Sequence, residues 1–174
     1  SQSRFTSADD EIVEYMRSAF RPHKLFVDRA GNSDYDYYIT SRERGASKGS
    51  FGVDEERSKR NWFLNFLKEH NLLGNKHIPP IFKFSSRENR LKLLAGLVDT
   101  DGHFAKESYY EITQKNKVLA EDIAFVARSC GFYTSLKPCQ KTCTNGANGP
   151  VTGTYYRMNI CGRDLHDIPV LLNR

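Results

Sequence analysis

Long apolar runs, a leader segment and a cysteine framework are all missing from this chain of 174 residues. No apolar stretch approaches the roughly 18 residues that a membrane-spanning helix needs, so no membrane partner is expected. No charged-then-apolar leader opens the sequence, so no signal peptide is read and a soluble protein is expected. The four cysteines, Cys130, Cys139, Cys143 and Cys161, lack the paired C-x-x-C spacing of a structural zinc site. They are also too sparse for a disulfide-built secreted scaffold, which leaves reduced thiols in an intracellular protein. In a eukaryotic host the expected compartment is the nucleus.

What is present is positive charge and enough chain for a core. Lys plus Arg outnumber Asp plus Glu by 26 to 21, a net charge of +5, and the pI is about 9.0. That balance suits a polyanionic partner, although ordinary basic proteins share it. The length allows one large domain or two small ones.

The most informative segment runs from Leu93 to Phe104. Leu91, Leu94, Ala95 and Val98 share one helical face, and Leu93 and Leu97 cover another. A helix apolar on most sides is buried on several sides. Ala95 and Gly96 would let a second backbone approach, and Gly102 suits the left-handed residue that ends a helix. Asp99 and Asp101 close the segment, where the helix dipole disfavours acids by a few tenths to about 1 kcal/mol each. Stability alone would not choose them there, whereas a divalent cation reverses the sign, since magnesium prefers hard oxygen ligands. The alternative is a buried helix ending in a solvated turn.

The string from Leu94 to Gly102 resembles the signature helix of the LAGLIDADG homing endonucleases. It matches seven of nine letters and differs at Val98 and Thr100. The implied fold is α+β, two pseudo-twofold αββαββα repeats, with the first signature helix missing from this chain. A repeat is visible in the residues themselves. Arg4–Met16 and Glu111–Ile123 each read as a strand ending in Thr, a turn and an amphipathic helix, with Thr6 matching Thr113 at an offset of 107 residues. The first helix is expected to bury Ile12, Tyr15, Met16, Ala19 and Phe20, and the second Leu119, Ile123, Val126, Ala127 and Cys130. Strand-like runs follow at Lys24–Arg29 and Tyr35–Arg42, and at Phe132–Lys137 and Tyr155–Cys161. Further helices are read at 61–70 and 163–173. The domains are therefore read as residues 1–75, an incomplete first half; 76–90, a linker carrying Lys76; and 91–174, a second half. A counterpart of Asp101 would fall ahead of residue 1, so the chain is read as part of a longer polypeptide.

The resemblance implies roles. Asp101 would bind Mg2+ (or Mn2+) and position the attacking water, with the carbonyl of Thr100 as a further ligand and Asp99 structural. Metal clamping suits phosphodiester hydrolysis because it stabilises attacking and departing oxygens. Lys76 resembles the active-site lysine ahead of Ile-Pro in inteins of this family, and Gln114 matches a glutamine that holds active-site water. Ser7 stands at that place in the first copy. Phe5–Ile12 and Lys76–Pro79 look most like the endonuclease domains of fungal inteins, which implies an intein splicing domain in the parent polypeptide. Neither splicing block is visible, so this chain alone is not expected to splice.

Strand alternation turns Phe5, Leu25, Val27, Ile39, Ile112, Phe132, Leu136, Met158 and Ile160 inward. It turns Arg4, Lys24, Tyr38, Arg42, Tyr133, Lys137, Tyr155, Arg157 and Asn159 outward, as a face for double-stranded DNA. Arg and Asn on a ribbon in the major groove read base edges, and Lys anchors phosphate. Residues 42–60 and 141–154 read as long loops or hairpin tips. The reading is a site-specific, Mg-dependent homing endonuclease. The alternative is a non-cleaving nucleic-acid-binding protein of the same fold: a degenerate endonuclease, an RNA maturase or a transcription regulator.

Overall fold

The computed structural model describes residues 3–31, 33–41, 62–143 and 149–172. It divides into two compact units, Ser1–Asn75 and Lys76–Arg174. The whole 42–60 segment expected as a loop, Arg42 included, lies outside the described residues.

The first unit runs β1 (Ser3–Thr6), α1 (Asp10–Phe20), a 3-10 turn (Arg21–His23), β2 (Phe26–Arg29), β3 (Asp36–Thr40) and α2 (Trp62–Glu69). Its sheet is antiparallel in the order β1-β3-β2. Alternate residues of these strands point to one side, and Val13, Leu25, Val27, Tyr37 and Ile39 form the core there, with Phe5, Met16, Phe20 and Phe63 packed against it. In α1 the buried pair is Ile12 and Val13. Tyr15 is exposed, and so is Ala19, so the apolar stripe is narrower than expected. Lys24, expected on a strand, instead takes a left-handed backbone (φ 57°) that closes the 3-10 turn ahead of β2.

The second unit runs α3 (Pro80–Lys83), α4 (Arg87–Asp101), β4 (Gly102–Ala105), β5 (Tyr109–Gln114), α5 (Lys117–Ser129), β6 (Tyr133–Cys143), β7 (Val151–Cys161) and a 3-10 turn at Leu165–Asp167. The sheet order is β4-β5-β7-β6, antiparallel throughout. Ser86 and Asn116 start the two long helices by accepting the amide N–H groups of Asn89 (3.3 Å) and Leu119 (3.1 Å). Lys106 and Glu107, at φ 52° and 50°, make the tight turn joining β4 to β5. The core gathers Leu91, Leu94, Ala95 and Val98 of α4 with Leu119, Ile123, Val126 and Ala127 of α5, over Ile112, Met158 and Ile160 of the sheet. Burying each such aliphatic side chain contributes about 1.5–3 kcal/mol.

Three further expectations change. Residues 76–90, read as a linker, belong to the second unit: Ile78 is buried in its core, and Asp122 of α5 accepts the Ile78 amide (2.8 Å) and the Lys83 ammonium (2.6 Å). The 141–154 segment holds the end of the β6–β7 hairpin, one of the two forms expected of it: the strands pair out to Cys143 and Val151, and residues 144–148 lie outside the described residues. Of residues 163–173, expected as a helix, the described ones up to 172 hold a single 3-10 turn at Leu165–Asp167. Pro169 cannot extend a helical ladder, and the Leu171 and Leu172 amides donate to Asp99 instead (2.8 and 2.9 Å). Gly102 is extended (φ −110°, ψ 174°), not left-handed. It is needed for space: a Cβ there would lie 3.0 Å from the backbone of Val98 and 3.1 Å from Ile112.

Candidate functional site

The two acids that end α4 have different surroundings. Asp99 is buried and accepts the two amides named above. The expectation that stability would not choose an acid there is therefore corrected for Asp99, since buried N–H donors need acceptors. Burial raises the pKa of the Tyr110 hydroxyl, and the Asp99 charge adds to it. Asp101 is exposed at the helix end. Gln114, buried at the end of β5, donates from Nε2 to Asp101 Oδ2 at 2.6 Å. The β4–β5 hairpin makes this meeting possible: Gly102 pairs with Ile112, so β5 returns its last residue to the end of α4.

Asp101 Oδ1 takes no hydrogen bond among the described residues. Thr100 sits beside it in the last turn, where carbonyls lack helical partners, and its hydroxyl bonds back to Gly96 O at 2.9 Å. One exposed carboxylate with a free oxygen and an adjacent carbonyl is a hard-donor set. Magnesium suits it when substrate phosphates and waters complete the octahedron. Among the described residues no three of His, Cys, Asp and Glu gather into a closed metal cage. Lys76 is exposed, two residues ahead of the buried Ile78 that Asp122 anchors. Among the described residues it makes no ion pair with Asp101. The structure thus joins Asp101 to Gln114, and among the described residues Lys76 makes no hydrogen bond or ion pair with either.

The sheet of the second unit has one face on the core and one open. Ile112, Met158 and Ile160 face the core, so the alternate residues of β5 and β7 face outward. Lys137 stands directly opposite Arg157, Ser135 opposite Asn159, and Cys139 opposite Tyr155. Tyr133, Lys137, Tyr155, Arg157 and Asn159 are thereby brought together on one face, as expected from alternation. Like charges directly opposite are destabilising, so the Lys137–Arg157 neighbours favour an anion over them. Sequence reading missed Glu111 on the same face. It lies opposite Asn159 and forms an ion pair with Arg157, 3.2 Å from Nε.

In the first unit Arg4 lies opposite Tyr38 on the corresponding open face. Its guanidinium stands over the Tyr38 ring (5.9 Å to the centroid) and pairs with Asp36. Thr6 Oγ1 donates to the other oxygen of Asp36 at 2.6 Å. These bonds, Thr6 first and then Arg4 and Ser33, lower the pKa of Asp36 to about 2. Ser7, the counterpart of Gln114, serves a local turn, its Oγ accepting the Asp9 amide at 3.1 Å.

Residues 88–166 match the family described as a LAGLIDADG-like domain. A curated relative, the replicative DNA helicase DnaB of Mycobacterium intracellulare, is 39% identical over 66 residues, which are 38% of this chain and 12% of the helicase. Among solved structures the chain is similar to mesophilic variants of the homing endonuclease I-DmoI: TM-score 0.54, 15% identity, 95% of this chain and 78% of that one. A variant of I-DmoI in complex with its target DNA in the presence of magnesium gives 0.53 at 16% identity, covering 98% and 79%. I-DmoI in complex with DNA and calcium gives 0.52 at 15%, covering 93% and 68%. These likenesses show the fold.

Proposed function

With residues 88–166 a LAGLIDADG-like domain on a homing-endonuclease fold, we propose that the protein cleaves double-stranded DNA at a long site with magnesium, or manganese, held at Asp101. The observation that carries this reading is the Gln114–Asp101 hydrogen bond of 2.6 Å. It fixes one oxygen of an exposed carboxylate and leaves the other for a cation. When bound, the metal supplies a Lewis acid on the phosphate and a lower pKa for an attacking water. The chain's own part is to orient the Asp101 carboxylate through Gln114 and to offer the Thr100 carbonyl beside it. Lys76, held near the core by the Asp122–Ile78 bond, supplies a cation for the phosphate. The open face of each unit's own sheet, with Arg4 and Tyr38 in the first and Tyr133, Lys137, Tyr155, Arg157 and Asn159 in the second, serves to grip and read the duplex, and Lys24 and Arg42 are assigned to phosphate.

The intein reading and the intracellular or nuclear setting belong to this proposal too. A match to 12% of a helicase is the pattern an element inserted in a longer host protein would give, which supports a splicing domain in the parent polypeptide. A second reading, binding without cutting, is favoured by one observation: Ser7, at the place of Gln114, is committed to a local turn. The two are separated by recovering duplexes that the protein binds from a randomised pool and incubating them with magnesium, calcium or a chelator. Magnesium-dependent nicking is expected. Binding with no scission in any metal would establish the second reading.

A further inference from the structure

The internal repeat places the two open-face ion pairs at equivalent positions. Thr6 matches Thr113, so at the same offset of 107 residues Arg4 matches Glu111. Thr6 lies opposite Asp36 in the first sheet and Thr113 opposite Arg157 in the second, so Asp36 matches Arg157. Each unit therefore has an ion pair across the same diagonal, with the charges exchanged. In both, the carboxylate is the covered partner. Asp36 and Glu111 keep 15% and 18% of their side-chain exposure, against 49% and 53% for Arg4 and Arg157. An ordinary surface pair contributes little to stability, and two halves keeping the pair while reversing it points to the arginine's aim as its purpose.

We infer that Glu111 is a positioning residue that sets Arg157 to read a guanine in the major groove. The inference rests on the DNA-binding reading above. Glu111 engages Arg157 through Nε (3.2 Å), which turns the guanidinium plane and leaves its two terminal nitrogens as a free edge. That edge is the fork that matches guanine O6 and N7. Lys137, directly opposite Arg157, repels the guanidinium on one side while Glu111 holds it on the other, so its direction is set twice. In the first unit the exchanged polarity moves the arginine from the third strand of the repeat to the first. There Asp36 takes a terminal nitrogen of Arg4, so the fork with both terminal nitrogens free belongs to Arg157 of the second unit.

The test is a binding selection from a pool of randomised duplex DNA, with thermal unfolding recorded for every variant. Wild type is expected to enrich guanine at one position. Arg157→Ala should lose that preference, and Glu111→Ala should lower it roughly tenfold at the same position, while overall affinity for the pool holds or rises as a negative charge is removed. Glu111→Gln, which keeps the length of the side chain but loses the charge of the ion pair, should lose the preference as Glu111→Ala does. The exchange Glu111→Arg with Arg157→Glu should unfold at the wild-type temperature and yet lose the guanine. Retention of the full preference by Glu111→Ala would overturn the inference, as would an equal loss on every sequence. A wild-type protein that binds no duplex at all would remove the functional reading itself, and the inference with it.

Discussion

The two units start from the same pattern of strands and helix and finish with different equipment. The second has a signature helix whose terminal Asp101 is held by Gln114 at 2.6 Å. The first has Ser7 at that place, turned inward to its own chain by the Asp9 amide at 3.1 Å. Both keep a carboxylate–guanidinium pair on the open face of the sheet, with the signs exchanged. The common part is what builds a strand–helix core, and the part that differs is what would touch a ligand. Duplicated folds can separate stability from recognition in this way, because the inward positions are constrained by packing and the outward ones are not.

Four perturbations would break or sharpen that contrast. Leu94→Ala, in the fully buried heart of the second unit, should cost about 2–5 kcal/mol in urea unfolding. A cost near zero would mean that α4 is not the core helix described. Gln114→Ala should slow strand scission roughly 10–100-fold, the usual consequence of releasing a group that orients a metal ligand. Ser7→Ala should leave the rate close to wild type, and equal losses in both would erase the asymmetry. Asp99→Ala strands the amides of Leu171 and Leu172 and should cost about 1–3 kcal/mol, read as early exchange of those two amides with solvent.

The smallest effect is a matter of pH. Asp36 has its pKa lowered to about 2 by the Thr6 hydroxyl, then Arg4 and Ser33. A depressed carboxylate stabilises the fold fully above its unfolded value near 4. That contribution disappears as pH falls from about 4 through 2. A carbon-13 titration of the Asp36 carboxyl should show the low midpoint, and Thr6→Ala should raise it. An ordinary midpoint in the wild type would remove the pair from the first unit.

Periodicity made much of the fold legible. The inward residues of β5, β6 and β7 and the buried face of α5 follow from alternation and i, i+3/i+4 spacing, and the core contains them. The resemblance to the family led to Gln114, and the repeat offset then placed Ser7 as its counterpart. What stayed hidden was whatever depends on a distant partner. Spacing alone does not distinguish Asp99 from Asp101; the resemblance gave Asp99 a structural part, and its partners, the amides some seventy positions later, were what the sequence did not show. Asp122 shows no motif, yet it anchors residues 78 and 83. The turn at Leu165–Asp167 replaced a helix because a proline and those same amides intervened. Glu111 was overlooked because an acid on a basic face reads as a defect until its neighbour across the ladder is known, although the repeat offset from Arg4 already pointed to it.

The central claim is that Asp101 holds the reacting metal, and a single comparison tests it. Wild type and Asp101→Asn would be assayed side by side on a duplex recovered by binding selection, with binding and magnesium-dependent scission measured on the same samples. The account predicts that the variant binds the duplex as wild type does and no longer cuts it. Cutting by Asp101→Asn at the wild-type rate would contradict the account.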